Sequence, residues 1–163
     1  MKNIKRLALS LLLSVIALQA QGDLYETKSL VAIEGGYNFN DNSTIERVYG
    51  FKVGAESKDN RIFLAARHYD LTTENFYAYG VEFQHFLNFS KYVNLYVGIS
   101  GGVAHIQESN KKIYKEYYGG DMGFNFHLHQ FVDFEAGIKT IKIERLKSPS
   151  IGYVSCIIKY NMD

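Results

Sequence analysis

The segment Phe76-Tyr-Ala-Tyr-Gly-Val-Glu-Phe-Gln-His-Phe86 carries the pattern that decides the fold of this chain. Side chains of an extended chain point alternately to its two sides. Here one side collects apolar residues and the other collects polar residues and glycine: Tyr77, Tyr79, Val81 and Phe83 against Ala78, Gly80, Glu82 and Gln84. Such period-two alternation predicts a β-strand with one face in an apolar environment.

The same alternation recurs along the rest of the chain, between clusters of Asn, Asp, Ser and Lys. Eight strands are predicted, at 30–39, 48–56, 61–69, 76–86, 92–104, 117–128, 131–141 and 151–160. The connections at 57–60, 87–91 and 129–130 are short, whereas those at 70–75, 105–116 and 142–150 are longer and more polar; the connection at 40–44 is small. Short and long connections alternate in this way in up-and-down barrels. An all-β fold follows.

Glycines and charged residues share the polar face of these strands. Eight strands leave an interior just wide enough to be filled by side chains, so charges placed there must pair, and glycines relieve the crowding. The predicted interior charge network comprises Glu34, Lys52, Glu56, Arg67, Glu82, Asp121, Glu135 and Lys139. The apolar face must then contact lipid. The prediction is an eight-stranded antiparallel up-and-down transmembrane β-barrel with a filled interior and no open pore.

Aromatic residues cluster toward the predicted strand ends, as they do where a barrel meets the membrane–water interface. The residues concerned are Tyr37, Phe39, Tyr49, Tyr69, Tyr77, Tyr92, Tyr118, Phe131 and Tyr160. The alternative is a soluble periplasmic lipocalin-like binding barrel, which alternates in the same way with its two faces inverted. Alternation alone leaves both open.

The N-terminus has the order of parts of a signal peptide. Lys2, Lys5 and Arg6 precede the apolar stretch 7–18, and Ala20 supplies the small residue that a signal peptidase requires. The apolar stretch is too short to span a bilayer as a helix. We therefore expect residues 1–20 to be a signal peptide and residues 21–163 to be an outer-membrane β-barrel domain, which reaches its membrane through the periplasm.

The composition narrows the function classes. The chain has 163 residues with 18 Lys and Arg against 17 Asp and Glu, so nothing in its bulk charge favours nucleic acid as a partner. The lone Cys156 cannot form an intramolecular disulfide. No Gly-rich phosphate loop precedes a helix, because GISGG lies within a predicted strand. His127 and His129 stand two apart, but without a third ligand nearby they predict no metal site. No cofactor is expected.

Stretches that combine glycine with aromatic residues, such as IEGGYNF, GVEFQHF, LYVGISGG and MGFNFHL, accompany the signal peptide and the eight strands. Together they resemble the small OmpA/OmpX-type outer-membrane barrels, over residues 28–162. The resemblance implies a monomeric structural or surface-interaction protein, inserted by the barrel-assembly machinery. Members of that family typically end on an aromatic residue, whereas here Tyr160 is followed by Asn161, Met162 and Asp163.

Two further functions were weighed against this one. Barrel enzymes that deacylate lipid A use a His-x-Ser pair, and that spacing is absent here, so no enzyme is predicted. The longer connections carry basic residues that suit the phosphates of lipopolysaccharide, which makes outer-membrane lipid and lipopolysaccharide the expected partners. These residues are Lys111, Lys112, Lys115, Lys142, Arg145 and Lys147.

Overall fold

A computed structural model describes residues 27–39, 45–71, 75–108, 111–143 and 148–161. The predicted signal peptide lies outside these residues, so both it and the predicted domain boundary at residue 20 stay predictions. Arg145 and Lys147 also lie outside them. No helix long and apolar enough to cross a membrane occurs in the described ranges.

Eight antiparallel strands form a closed barrel in which each strand pairs with its neighbours in sequence and β1 pairs with β8. This confirms the predicted fold class. The strands are β1 (Thr27–Asn38), β2 (Ile45–Ser57), β3 (Asn60–Leu71), β4 (Asn75–Asn88), β5 (Val93–Glu108), β6 (Lys111–His129), β7 (Val132–Ile143) and β8 (Ser150–Asn161). The connections at 58–59, 89–92 and 130–131 define the turn end of the barrel, where β1 begins and β8 ends. The opposite end is the loop end.

One predicted loop is largely strand. The segment 105–116 is polar enough to resemble a loop, but β5 and β6 run through it and pair as far as Glu108 with Lys111. Lys111, Lys112 and Lys115 therefore belong to β6, and Lys142 lies in β7; their placement in loops was wrong. Pairing between β6 and β7 begins only at Tyr117, so the β5–β6 hairpin extends beyond its neighbours at the loop end. Backbone pairing outweighed the weak strand propensity of these polar residues.

The outward face of the barrel is apolar. Its exposed side chains include Ile33, Leu64, Val97, Ile99, Met122, Ile138 and Val154, with Tyr37, Tyr49, Tyr77 and Tyr118 toward the loop end and Phe89, Tyr92, Phe131 and Tyr160 toward the turn end. Tyr69 was wrongly assigned to this aromatic belt. Its side chain is buried in the interior, where its ring stacks on Phe76 at 4.6 Å between centroids. A lipocalin-like carrier would have the opposite distribution, with apolar side chains inside.

The interior is divided into layers along the barrel axis. Toward the loop end it is closed by a cluster of buried apolar side chains that includes Ile45, Val48, Tyr69, Phe76, Tyr117, Ile141, Ile143 and Ile151. The middle and the turn end hold the charged side chains. The sequence predicted a filled interior but not this apolar layer. The residues of the layer lie on the inward faces of their strands, the same faces that carry the charged residues further along.

Candidate functional site in the barrel interior

Two carboxylates hold three cations together at the middle of the barrel. Glu34 on β1 and Glu82 on β4 each contact the side chains of Lys52, Arg67 and Lys139, which come from β2, β3 and β7. Lys52 Nζ lies 3.2 Å from Glu34 Oε2 and 3.3 Å from Glu82 Oε1. Lys139 Nζ lies 3.1 Å from Glu34 Oε2 and 2.9 Å from Glu82 Oε2.

Arg67 completes this central cluster. Its Nε donates to Glu34 Oε1 at 2.7 Å, and its Nη2 donates to Glu82 Oε2. All five side chains are almost completely buried. Removing a charge from water is costly, so such a cluster is stable only when every member has opposite charges around it. Here every member has at least two, since each cation contacts both carboxylates.

A second cluster lies nearer the turn end. Arg61 on β3 contacts Glu56 and Asp133, with its Nε 3.0 Å from Glu56 Oε2 and its Nη2 3.1 Å from Asp133 Oδ2. Lys159 on β8 reaches the same two carboxylates, at 2.7 Å from Asp133 Oδ2 and 3.3 Å from Glu56 Oε1. Glu135 joins the two clusters, because it contacts Arg61 and also lies 3.5 Å from Lys52 Nζ.

The predicted set of eight lacked three members of this second cluster: Arg61, Asp133 and Lys159. Arg61 begins the predicted third strand, and Asp133 lies near the start of the seventh. The alternation of inward and outward side chains was the signal that could have assigned these residues to the interior. Arg61, for example, shares the inward face of β3 with Phe63 and Arg67. The structure buries seven of the eight predicted residues in the interior, places the partly buried Glu56 beside them in contact with Arg61, and adds these three.

Asp121 on β6 is held differently from the other acids. Its Oδ2 accepts hydrogen bonds from Gln84 Nε2 at 3.2 Å and from the Tyr153 hydroxyl at 3.0 Å. The Tyr153 hydroxyl also contacts that of Tyr96. The Tyr96 side chain on β5 extends over β6 to β7, and Gly137 on β7 leaves space for it: a Cβ there would lie 2.5 Å from the Tyr96 hydroxyl oxygen. A glycine is therefore favoured at this position of β7, beneath the end of the tyrosine side chain.

The two histidines weighed as metal ligands have different surroundings. His127 Nδ1 lies 2.9 Å from Asp133 Oδ1, and its ring is partly buried at the turn end. His129 is exposed on the far side of a register shift in the β6–β7 ladder. In the described ranges, no three His, Cys, Asp or Glu side chains are grouped so that they could hold a metal ion.

The basic residues predicted to meet lipopolysaccharide are not brought together in the described structure. Lys142 is exposed on the outward face of β7 near the loop end, where its Nζ lies 5.9 Å from the centroid of the Tyr118 ring. Tyr118 is its cross-strand partner on β6. Lys115 lies on the β5–β6 hairpin, and only the backbone of Lys111 and Lys112 is described.

Neither a family model nor a curated protein sequence matches this chain. Solved structures match its fold. OprH from Pseudomonas aeruginosa aligns with a TM-score of 0.64 at 14% identity, covering 82% of this chain and 99% of that one. The N-terminal β-barrel domain of P. aeruginosa OprF gives 0.62 at 12% identity, covering 83% and 99%. Neisserial surface protein A gives 0.52 at 14% identity, covering 85% and 97%. The chain therefore has the fold of the small eight-stranded outer-membrane barrels.

Proposed function

We propose that this chain is a non-catalytic, non-conducting barrel of the bacterial outer membrane that acts as a structural and surface-interaction protein. One observation carries the proposal: the interior is filled by charged and polar side chains beneath a layer of apolar ones, while the outward face is apolar. A filled interior leaves no water path for a solute, and an apolar outward face requires lipid. The outward face and the loop end are then the surfaces through which the protein can contact other molecules.

The placement in the outer membrane is tested by fractionation together with heat modifiability. The protein expressed in a Gram-negative host is expected in the outer-membrane fraction, and to migrate faster in unheated than in boiled SDS samples, because a closed barrel resists SDS until heated. Planar bilayers containing the purified barrel are expected to show no steady ion conductance. Recovery in the soluble periplasm, or stable open channels, would contradict the proposal.

Lipopolysaccharide is the partner that we propose for the loop end. The support comes from Lys142, which lies exposed beside the exposed Tyr118 ring near the loop end, where a transmembrane barrel of this kind would meet the lipid head groups. A cation near a charged lipid surface contributes about 1 kcal/mol. Lys111, Lys112, Lys115, Arg145 and Lys147 remain proposed contributors to the same surface.

Lys91 offers a matched control, because its Nζ lies 4.8 Å from the centroid of the Tyr92 ring at the opposite end of the barrel. Lys142→Ala is expected to weaken binding of the refolded barrel to lipopolysaccharide about fivefold, as loss of one phosphate contact implies. Lys91→Ala should leave binding unchanged. Equal effects of the two substitutions would show that binding depends on total charge and not on the loop end.

The barrel-assembly machinery is the second proposed partner, and the protein is proposed to be a monomer. Tyr160 supports the former, since it is exposed on the lipid-facing side of β8 near the C-terminal end of the strand. Tyr160→Ser is expected to slow insertion into vesicles that contain the assembly machinery, but not spontaneous refolding into detergent. An equal slowing of both would assign Tyr160 to stability alone.

A further inference from the structure

Asp121 is the one carboxylate of the described interior network that no lysine or arginine contacts. Lys139 stands directly opposite it in the β6–β7 register. The Lys139 ammonium nevertheless reaches across the barrel to Glu34 and Glu82, at 3.1 and 2.9 Å. The two groups that bond to Asp121, Gln84 and Tyr153, are neutral. Asp121 is only 6% exposed, so its carboxylate is buried with no ammonium or guanidinium group in contact.

Three buried oxygens around this position also lack a hydrogen-bond partner. They are Oδ1 of Asp121, Oε1 of Gln84 and Oγ of Ser100. Gln84 is fully buried and Ser100 is 8% exposed. The three residues come from β6, β4 and β5, three adjacent strands of one wall.

Gly98 lies at the centre of this group. It pairs with Gln84 on one side and with Asp121 on the other, and Ser100 is the next inward residue along β5. Having no side chain, Gly98 lets Asp121 Oδ1 lie over the strand, 2.6 Å from where a Cβ would stand. Gly98 therefore leaves the inner face of β5 to the Asp121 carboxylate, with Gln84 beside it and Ser100 the next inward residue along the strand.

Buried polar groups are seldom left without partners, and an unpaired buried carboxylate is especially costly. A donor set made only of oxygen atoms suits a hard cation. One carboxylate among neutral oxygens requires a single positive charge for neutrality. We propose that Asp121, Gln84 and Ser100 form a site for one small alkali cation, with Na⁺ as the probe. The site lies beyond the proposed structural and surface function, which does not depend on it.

The experiment compares refolding of the full barrel domain in NaCl and in N-methylglucamine chloride at equal ionic strength. Vesicles of zwitterionic phospholipid without lipopolysaccharide keep surface ion binding out of the measurement. A cation that binds only the folded barrel raises its stability with ligand concentration. The unfolding midpoint is therefore expected to rise with the logarithm of Na⁺ concentration, and the bulky organic cation to produce no such rise.

Two variants and a control make the result specific. Asp121→Asn is expected to abolish the Na⁺ dependence, and Ser100→Ala, a smaller change that keeps the charge, to shift it to higher Na⁺ concentration. Glu116→Gln, an exposed change on the β5–β6 hairpin, should keep the full dependence. Equal unfolding midpoints in the two salts would indicate that these oxygens bind water and not Na⁺, and would overturn the proposal. So would a midpoint that depends on pH but not on Na⁺, which indicates a bound proton, or a Na⁺ dependence that persists in Asp121→Asn.

Discussion

Replacing Glu82 by Gln tests whether the central charge cluster stabilises the barrel. The change keeps the volume of the side chain and removes its negative charge. Lys52, Arg67 and Lys139 would each lose one contacting carboxylate and keep Glu34, at 3.2, 2.7 and 3.1 Å. Removing one partner from a buried ion pair costs about 3–5 kcal/mol. Because each cation keeps a partner, we expect the lower end of that range, about 3 kcal/mol.

The double variant Glu34→Gln/Glu82→Gln sharpens the expectation. Arg67 and Lys139 would then contact no carboxylate of the network, and Lys52 would keep only Glu135 at 3.5 Å. Neighbouring residues that share partners are not additive, and their coupling amounts to about 0.5–3 kcal/mol. The loss in the double variant is therefore expected to exceed the sum of the two single losses.

The assay is reversible urea unfolding in phosphatidylcholine vesicles. Far-ultraviolet circular dichroism and the gel shift between folded and unfolded forms serve as probes, since the chain has no Trp to report by fluorescence. Glu116→Gln is the control, expected to stay within about 0.5 kcal/mol of the parent as surface changes do. If Glu82→Gln also stays within that range, or if the double variant is additive, the reasoning about shared partners is refuted.

Three further substitutions test packing and membrane placement by the same unfolding assay. Gly137→Ala should cost about 1–3 kcal/mol, because its Cβ would meet both the Met122 carbonyl oxygen and the Tyr96 hydroxyl oxygen at 2.5 Å, and a parent-like stability would show that both can move away. Gly35→Ala, with nothing within 4 Å of its Cβ, should be neutral or gain up to about 1 kcal/mol; a clear loss would mean that this outward position is not open. Cys156→Arg, on the lipid-facing side midway along β8, should cost about 2–4 kcal/mol, and no loss would contradict its depth in the membrane.

The alternation of side chains was sufficient to predict the number of strands and the inward placement of the eight residues assigned to the charge network. Period-two patterning is local, and a strand cannot move one residue to its other face without shifting its entire register. For this reason Glu34, Lys52 and Glu82 could be assigned to the interior from the sequence, with no knowledge of their neighbours. The same rule places Arg61 inside, on the face of β3 that carries Phe63 and Arg67, although it was not among the residues predicted for the network.

Strand ends were less predictable because they depend on pairing. The polar segment 105–116 contains little that favours a strand by itself, yet β5 and β6 pair through it to Glu108 and Lys111. Backbone hydrogen bonds between two strands that already lie side by side can extend a hairpin whatever its side chains. This is why Lys111, Lys112 and Lys115 were placed in a loop when they belong to a strand.

Only the closed barrel determines which carboxylate each lysine or arginine of the interior contacts. Lys139 stands opposite Asp121 on the neighbouring strand but bonds to Glu34, 105 positions away in the chain. The alternation of side chains predicts the face on which a long side chain lies, but not its direction across the barrel interior, where several carboxylates are within reach of each ammonium group. The sequence therefore determines that these charges lie inside a filled barrel, whereas the closed tertiary structure determines which carboxylates are neutralised by cations and which one, Asp121, is left without any.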